Sequence, residues 1–301
     1  MYQKSFLNNV YEGKNNWWRY LTVFISLPLI TIILTLIFIF IINFNFDIIS
    51  NQLFTFILLI ISSTVSFLVF YVLIRFIHHK KLISFISTYS KINWVKIIKG
   101  ALLWLLILCI FTTLSLIVYP TMYNISFDLN AFGSLLILSL ITFVIRASFE
   151  EIFFRGYLMQ GMQLLSTKPI VALLVTSILF GIFHFFNTNN INLGICLVLD
   201  SFIFGMMVGI ITLGENRIET AIGVHISNNV FTTAIINTPT AGFGNLPSIF
   251  TAQLNPYIGL LMTVMTSLTL IMILFWNRKE TFYNIFHIEQ KGIINKVKPK
   301  N

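Results

Sequence analysis

The chain has 301 residues, 57% of them hydrophobic and only 10% charged, with a net charge of +9. A soluble domain is nearer about 45–50% apolar and about 25% charged, so the composition excludes a water-soluble globule and points to an all-α, polytopic membrane protein folded as one domain over 1–301. The positive balance does not indicate nucleic acid, because the basic residues are interleaved with long apolar segments.

A membrane-spanning helix needs about 20 mostly apolar residues. Residues 1–19 are polar and basic, and Trp17-Trp18-Arg19-Tyr20 has the pattern of an interfacial anchor. The first apolar run, about 20–44, lacks a small-residue cleavage site and reads as a retained span rather than a removed signal. A polar loop at 45–52 leads to span two, about 53–77. Residues 78–100 form a basic linker opening with His78-His79-Lys80-Lys81, whose mixed apolar and basic spacing suits the membrane surface. Span three, about 101–119, stops at Pro120. Span four begins near Phe132 and extends to about Leu165. Span five runs about 169–186, span six about 193–214, span seven about 218–236 and span eight about 257–276, before a basic tail at 277–301. The loops after spans one, three, five and seven carry no Lys or Arg. That alternation predicts eight transmembrane helices with both termini in the cytoplasm.

Three spans carry residues that are expensive in lipid and so point to function. Glu150, Glu151 and Arg155 lie in span four, His184 in span five, and His225 and Asn229 in span seven. Glu150 is 17 residues before Thr167 and His184 is 17 after it. In an antiparallel hairpin both then sit roughly 25 Å from the turn. His225 and Asn229 sit roughly 15 and 21 Å from the turn near Glu215, so the four share a depth. Glu151 and Arg155 can pair at i, i+4. Glu150, rotated about 100° from Glu151, is left to face a cavity. A straight helix over 132–165 would be roughly 50 Å long, so span four either projects into the cytoplasm or breaks near Arg146.

The residue types suit hydrolysis. Glu150 is a general base for water, His184 holds and polarises the same water, and His225 and Asn229 supply donors for an oxyanion. Glu150, His184 and His225 are also the ligand types of a catalytic zinc site. The H-E-x-x-H pattern of helical zinc proteases is absent, and the metal-free reading is favoured over one divalent metal.

Glu-Glu-x-x-x-Arg (150, 151, 155), Phe-x-x-x-His (180, 184) and His-x-x-x-Asn (225, 229) resemble, in order and on apolar segments, the three motifs of the CPBP family. These are the CAAX-protease and bacteriocin-processing intramembrane proteases, also called Abi or type II CAAX prenyl endopeptidases. The resemblance covers about 130–235, and Gly13-Lys14-Asn15-Asn16-Trp17-Trp18-Arg19-Tyr20 resembles bacterial members. It implies an intramembrane endopeptidase in a bacterial plasma membrane. Its substrate would be a membrane-associated, lipidated or precursor peptide. Glu150 and His184 would activate water, His225 and Asn229 would form the oxyanion hole, and Glu151 and Arg155 would support them. The family is often described as metalloproteases and is associated with bacteriocin immunity, which does not exclude proteolysis. Rival readings are an ion- or proton-coupled transporter using Glu150, Glu151, Asp200 and the histidines as a relay, and a non-catalytic immunity or scaffold protein.

Cys109 and Cys196 read as small apolar packers, and His78, His79 and His287 as solvated or interfacial. Gly205 and Gly209 read as a close helix contact. Arg146 and the basic linkers offer attraction for an acidic substrate group. Asp200 divides evenly between packing and a substrate-related role, and 237–256 reads as a loop rather than a lid. The linker and tail are expected to meet anionic headgroups.

Overall fold

The structure, a computed structural model, describes residues 5–41, 52–125, 127–240, 242–253 and 255–287. The loop expected at 45–52 falls outside them up to residue 51, as does the tail from residue 288. The chain is a helical bundle. Its long helices are α1 (Trp17–Ile41), α2 (Gln52–Leu73), α4 (Trp94–Val118), α5 (Leu129–Glu151), α7 (Pro169–Phe183), α8 (Ile191–Glu215) and α10 (Pro256–Phe275). Short helices are α3 (Ile83–Ile86), α6 (Met159–Met162), α9 (Glu219–Val230) and α11 (Lys279–His287). Among the described residues, seven helical stretches are long and apolar enough to cross a membrane, and the chain is an integral membrane protein.

Local chemistry sets the helix starts. The side chains of Asn93, Asp128, Asn190 and Asn255 each accept a hydrogen bond from a first-turn amide of α4, α5, α8 and α10, which satisfies donors the helix itself leaves open. Pro169 and Pro256 occupy first-turn positions, where no amide is needed. Leu21, Ile25, Leu29, Ile32 and Leu36 of α1 are exposed, a lipid-facing stripe on a helix that packs mainly on α2.

The span expected at 218–236 differs from the others. It is α9, of 12 residues, prolonged by a five-residue π-helical turn, Phe231–Ile235, and it is too short to count among the seven. It packs between α4 and α5, so most of its surface meets protein and it does not need an apolar exterior. That is why it can carry Glu219, His225, Asn228 and Asn229. Small residues make the approach possible: a Cβ on Gly223 would strike the Ile97 carbonyl oxygen, and one on Gly100 would lie 2.6 Å from the Thr220 carbonyl oxygen. Helices in lipid gain little from burying apolar surface against each other, so such close backbone contact carries much of their association.

Two further expectations change. Span four does not break near Arg146: the helix is continuous from Leu129 to Met162, passing through a π-helical segment at Ile152–Leu158. The linker 78–100 is only partly a surface segment. Residues Ser84, Phe85 and Ile86 are buried, and α4 already begins at Trp94. His78, expected to be solvated, is 0% exposed. Its Nδ1 bonds the Lys14 carbonyl and its Nε2 the Tyr157 hydroxyl, both at 2.8 Å. His79 is exposed, as expected; the side chain of His287 lies outside the described set.

The polar N-terminus hides a plug. A 3-10 helix, Phe6–Tyr11, buries Phe6, Leu7, Asn9 and Val10 at the end of the bundle where α4 and α9 begin. At the opposite end a small sheet forms from β1 (Tyr123–Ile125), β2 (Ile236–Asn237) and β3 (Phe250–Ala252). The central strand, β3, runs antiparallel to β1 and parallel to β2. The segment 237–256 is therefore tied down by a strand of its own.

Candidate functional site

Glu150 and Glu151 close α5 just before the backbone widens into the π-helical segment, a feature that recurs at functional sites because it re-aims side chains. The two carboxylates point to different surroundings. Glu151 is 0% exposed and its Oε1 accepts from Arg155 Nη1 at 2.8 Å. The same oxygen accepts from His225 Nδ1 at 2.7 Å. Glu150 accepts from Arg146 Nε at 2.8 Å through Oε1, and its Oε2 faces His225 Nε2 at 3.5 Å. His225 thus lies between both carboxylates, one on each ring nitrogen.

The sequence spacing anticipated the Glu151–Arg155 pair. It did not anticipate Glu151 holding His225, nor Arg146 clamping Glu150. The second was legible, since Arg146 and Glu150 share the same i, i+4 spacing.

Phe180 explains why an aromatic residue precedes His184 by one turn. Its ring lies 4.5 Å from the His184 ring, 5.7 Å from the His225 ring and 4.4 Å from the Arg155 guanidinium carbon. One buried side chain therefore touches residues from all three sequence motifs. Gly205 makes room behind it: a Cβ there would lie 3.1 Å from Arg155 Nη2 and 3.3 Å from Ser177. His184 caps the end of α7, and its Nδ1 donates to the Phe180 carbonyl at 2.7 Å. Committing Nδ1 as donor leaves Nε2 as an acceptor in the neutral ring.

Asn229 is oriented through a relay that the sequence did not reveal. Trp104 Nε1 donates to Asn228 Oδ1 at 3.1 Å, and Asn228 Nδ2 donates to Asn229 Oδ1 at 3.4 Å. With its oxygen engaged, Asn229 has its amide N–H groups left to donate. Trp104 lies 124 residues from Asn228, and nothing in its own span marks it.

Two cavities meet these residues. One, about 310 Å³, is lined by Glu150, Arg146 and His184 with Phe24, Phe149 and Phe183 among its apolar walls. The other, about 370 Å³, is lined by His184, His225, Asn228 and Asn229 and reaches Tyr123, Asn237 and Asn255 beside the small sheet. Phe180 and His184 border both. Among the described residues, no three His, Cys, Asp or Glu side chains form a group able to hold a metal ion.

Fold and site together define a polytopic membrane protein with an ionisable cluster sunk between its helices and bordered by two cavities. Residues 132–231 match the family model described as type II CAAX prenyl endopeptidase Rce1-like. That match spans the stretch that carries Glu150, Glu151, Arg155, His184, His225 and Asn229. The chain is also similar to the uncharacterized protein YyaK of Bacillus subtilis (strain 168), at 28% identity over 291 residues, which is 92% of this chain and 97% of that protein. No solved structure matches it.

Proposed function

We propose that the chain is an intramembrane endopeptidase that hydrolyses a peptide bond of a membrane-associated or lipidated peptide. The observation that carries this reading is the position of His225. It faces Glu150 at 3.5 Å, is held by Glu151 at 2.7 Å, and shares a cavity with His184 and Asn229.

In the mechanism, Arg146 fixes Glu150 Oε1 and leaves Oε2 to take a proton from water, with His184 Nε2 accepting the water's second hydrogen bond. The hydroxide attacks the carbonyl carbon, and the carbonyl π-bond pair moves to oxygen. Asn229 Nδ2 and His225 Nε2–H donate to that oxyanion. Glu151 holds His225 through Nδ1 at 2.7 Å, which sets the ring so that Nε2 lies on the Glu150 side, 3.5 Å from Oε2. Collapse breaks the C–N bond, and the proton held by Glu150 passes to the departing amine. No step calls for a metal, so cleavage by this route persists after chelator treatment.

The cavity is bordered beside the small sheet by Tyr123, Asn237 and Asn255, in loops that carry no Lys or Arg. With both termini cytoplasmic, that end faces outward, in keeping with a bacterial plasma membrane enzyme acting on peptides at its outer side.

The test is cleavage of membrane-tethered peptides by the purified protein in proteoliposomes. Fragments from the wild type and none from a folded Glu150→Ala variant support the reading. Equal fragments from both refute it.

A further inference from the structure

Asp200 lies outside the three motifs, yet it lines the 370 Å³ cavity together with His184, His225 and Asn229. Asp200 is the one carboxylate among the residues that border this cavity, and no Lys or Arg borders it. Thr263 of α10 borders the cavity with it, and Ser201, Thr266 and Thr232 add further hydroxyls to the walls. A carboxylate kept within the membrane depth of a bundle costs free energy unless a cation or wet cavity compensates it. The residues that border the cavity supply hydroxyls and no Lys or Arg, so a cationic group on a ligand would find its counter-charge in Asp200.

Position sets which part of a ligand that is. Phe204 packs against the His225 ring at 5.2 Å. Asp200 precedes Phe204 by one helical turn, about 6 Å along α8, toward the end of the bundle that holds the small sheet. An extended peptide advances about 3.3–3.6 Å per residue. A peptide whose carbonyl sits at His225 and Asn229 therefore carries a neighbouring side chain to Asp200 within about two residues.

Resting on the endopeptidase reading above, we propose that Asp200 is the specificity-determining residue of this site and that it selects peptides with a lysine or arginine within about two residues of the scissile bond.

The experiment uses the full chain in proteoliposomes, with membrane-tethered peptides bearing Lys, norleucine or Glu at one position at a time around a fixed core. Binding is measured on Glu150→Ala protein, and cleavage on the wild type. We expect the best Lys peptide to bind Glu150→Ala protein about tenfold or more tighter than its norleucine counterpart. Adding Asp200→Asn should bring that ratio to near one, and adding Asp200→Glu should preserve it. A photo-crosslinker next to the lysine should label α8 or α10 peptides containing Asp200 or Thr263, which decides the matter even if Asp200→Asn does not fold. Equal binding of Lys and norleucine peptides overturns the proposal. A preference that survives Asp200→Asn, or a crosslink elsewhere, also overturns it. If the binding pattern holds but wild type and Glu150→Ala protein both fail to cut, cation recognition stands and the hydrolytic reading falls. If cleavage depends on Glu150 but shows no Lys preference, the reverse is true.

Discussion

Two buried polar clusters sit in this bundle, and they are built differently. At the plugged end, Lys80 is 2% exposed, and its Nζ donates to the Asn9 carbonyl at 2.6 Å and to Gln160 Oε1 at 2.9 Å. Gln160 in turn donates to the Ser84 carbonyl at 2.9 Å, as does Asn9 at 2.8 Å. These groups come from three distant stretches of chain and close on one another, with no residue of the cluster bordering either cavity described above. In the cluster around His225, by contrast, Glu150, His184 and Asn229 all border open volume. Glu151 and Arg155 stand behind them at 0% exposure. The first cluster spends its hydrogen-bonding capacity on holding the N-terminus to the bundle. The second keeps capacity in reserve on the side facing a cavity. Burial of charge alone therefore does not set the candidate site apart from the plugged end; unspent donors and acceptors aimed at a cavity do.

Substitutions separate the two clusters. The largest effect is expected from Glu150→Gln, which removes the base but keeps the shape. Cleavage should fall by about 10²–10⁴-fold while the protein elutes as the wild type does. Arg155→Ala strips the guanidinium from a fully buried carboxylate and should cost about 3–5 kcal/mol, read as a lowered denaturation midpoint together with lost cleavage. Lys80→Ala leaves the Asn9 carbonyl and Gln160 Oε1 short of a donor and should cost about 1–3 kcal/mol. Its turnover per folded molecule should match the wild type, and a drop in that number would erase the distinction between the clusters. The smallest effect is expected from Asn228→Ala, which frees Asn229 to rotate. Here kcat should fall by about tenfold, roughly 1.4 kcal/mol, with KM little changed.

The long apolar runs were legible in the sequence because lipid sets their length. The three motifs were legible because ionisable residues in such runs have few innocent uses. Helix arithmetic placed Glu150 and His184 at matching depth, and both border the same cavity. What stayed hidden depends on contacts between distant stretches. The Phe6–Tyr11 plug and buried His78 carry no mark in a segment that reads as polar and basic. The π-helical segment after Glu151 has no composition signature. The helix holding His225 reads as a full span because its apolar residues continue to Ile236, and its packing against α4, α5 and α8 is not legible in that run. Trp104 orients Asn229 from a span that otherwise looks uniformly apolar.

In the proposed mechanism Glu150 and His225 work as one unit in water activation and oxyanion binding. The direct measurement is kcat/KM for Glu150→Ala, His225→Ala and the double variant on one tethered peptide. Groups that act as a unit give losses that do not multiply, so the double variant should be no slower than the worse single variant. Losses that multiply, or a Glu150→Ala rate equal to the wild type, would contradict it.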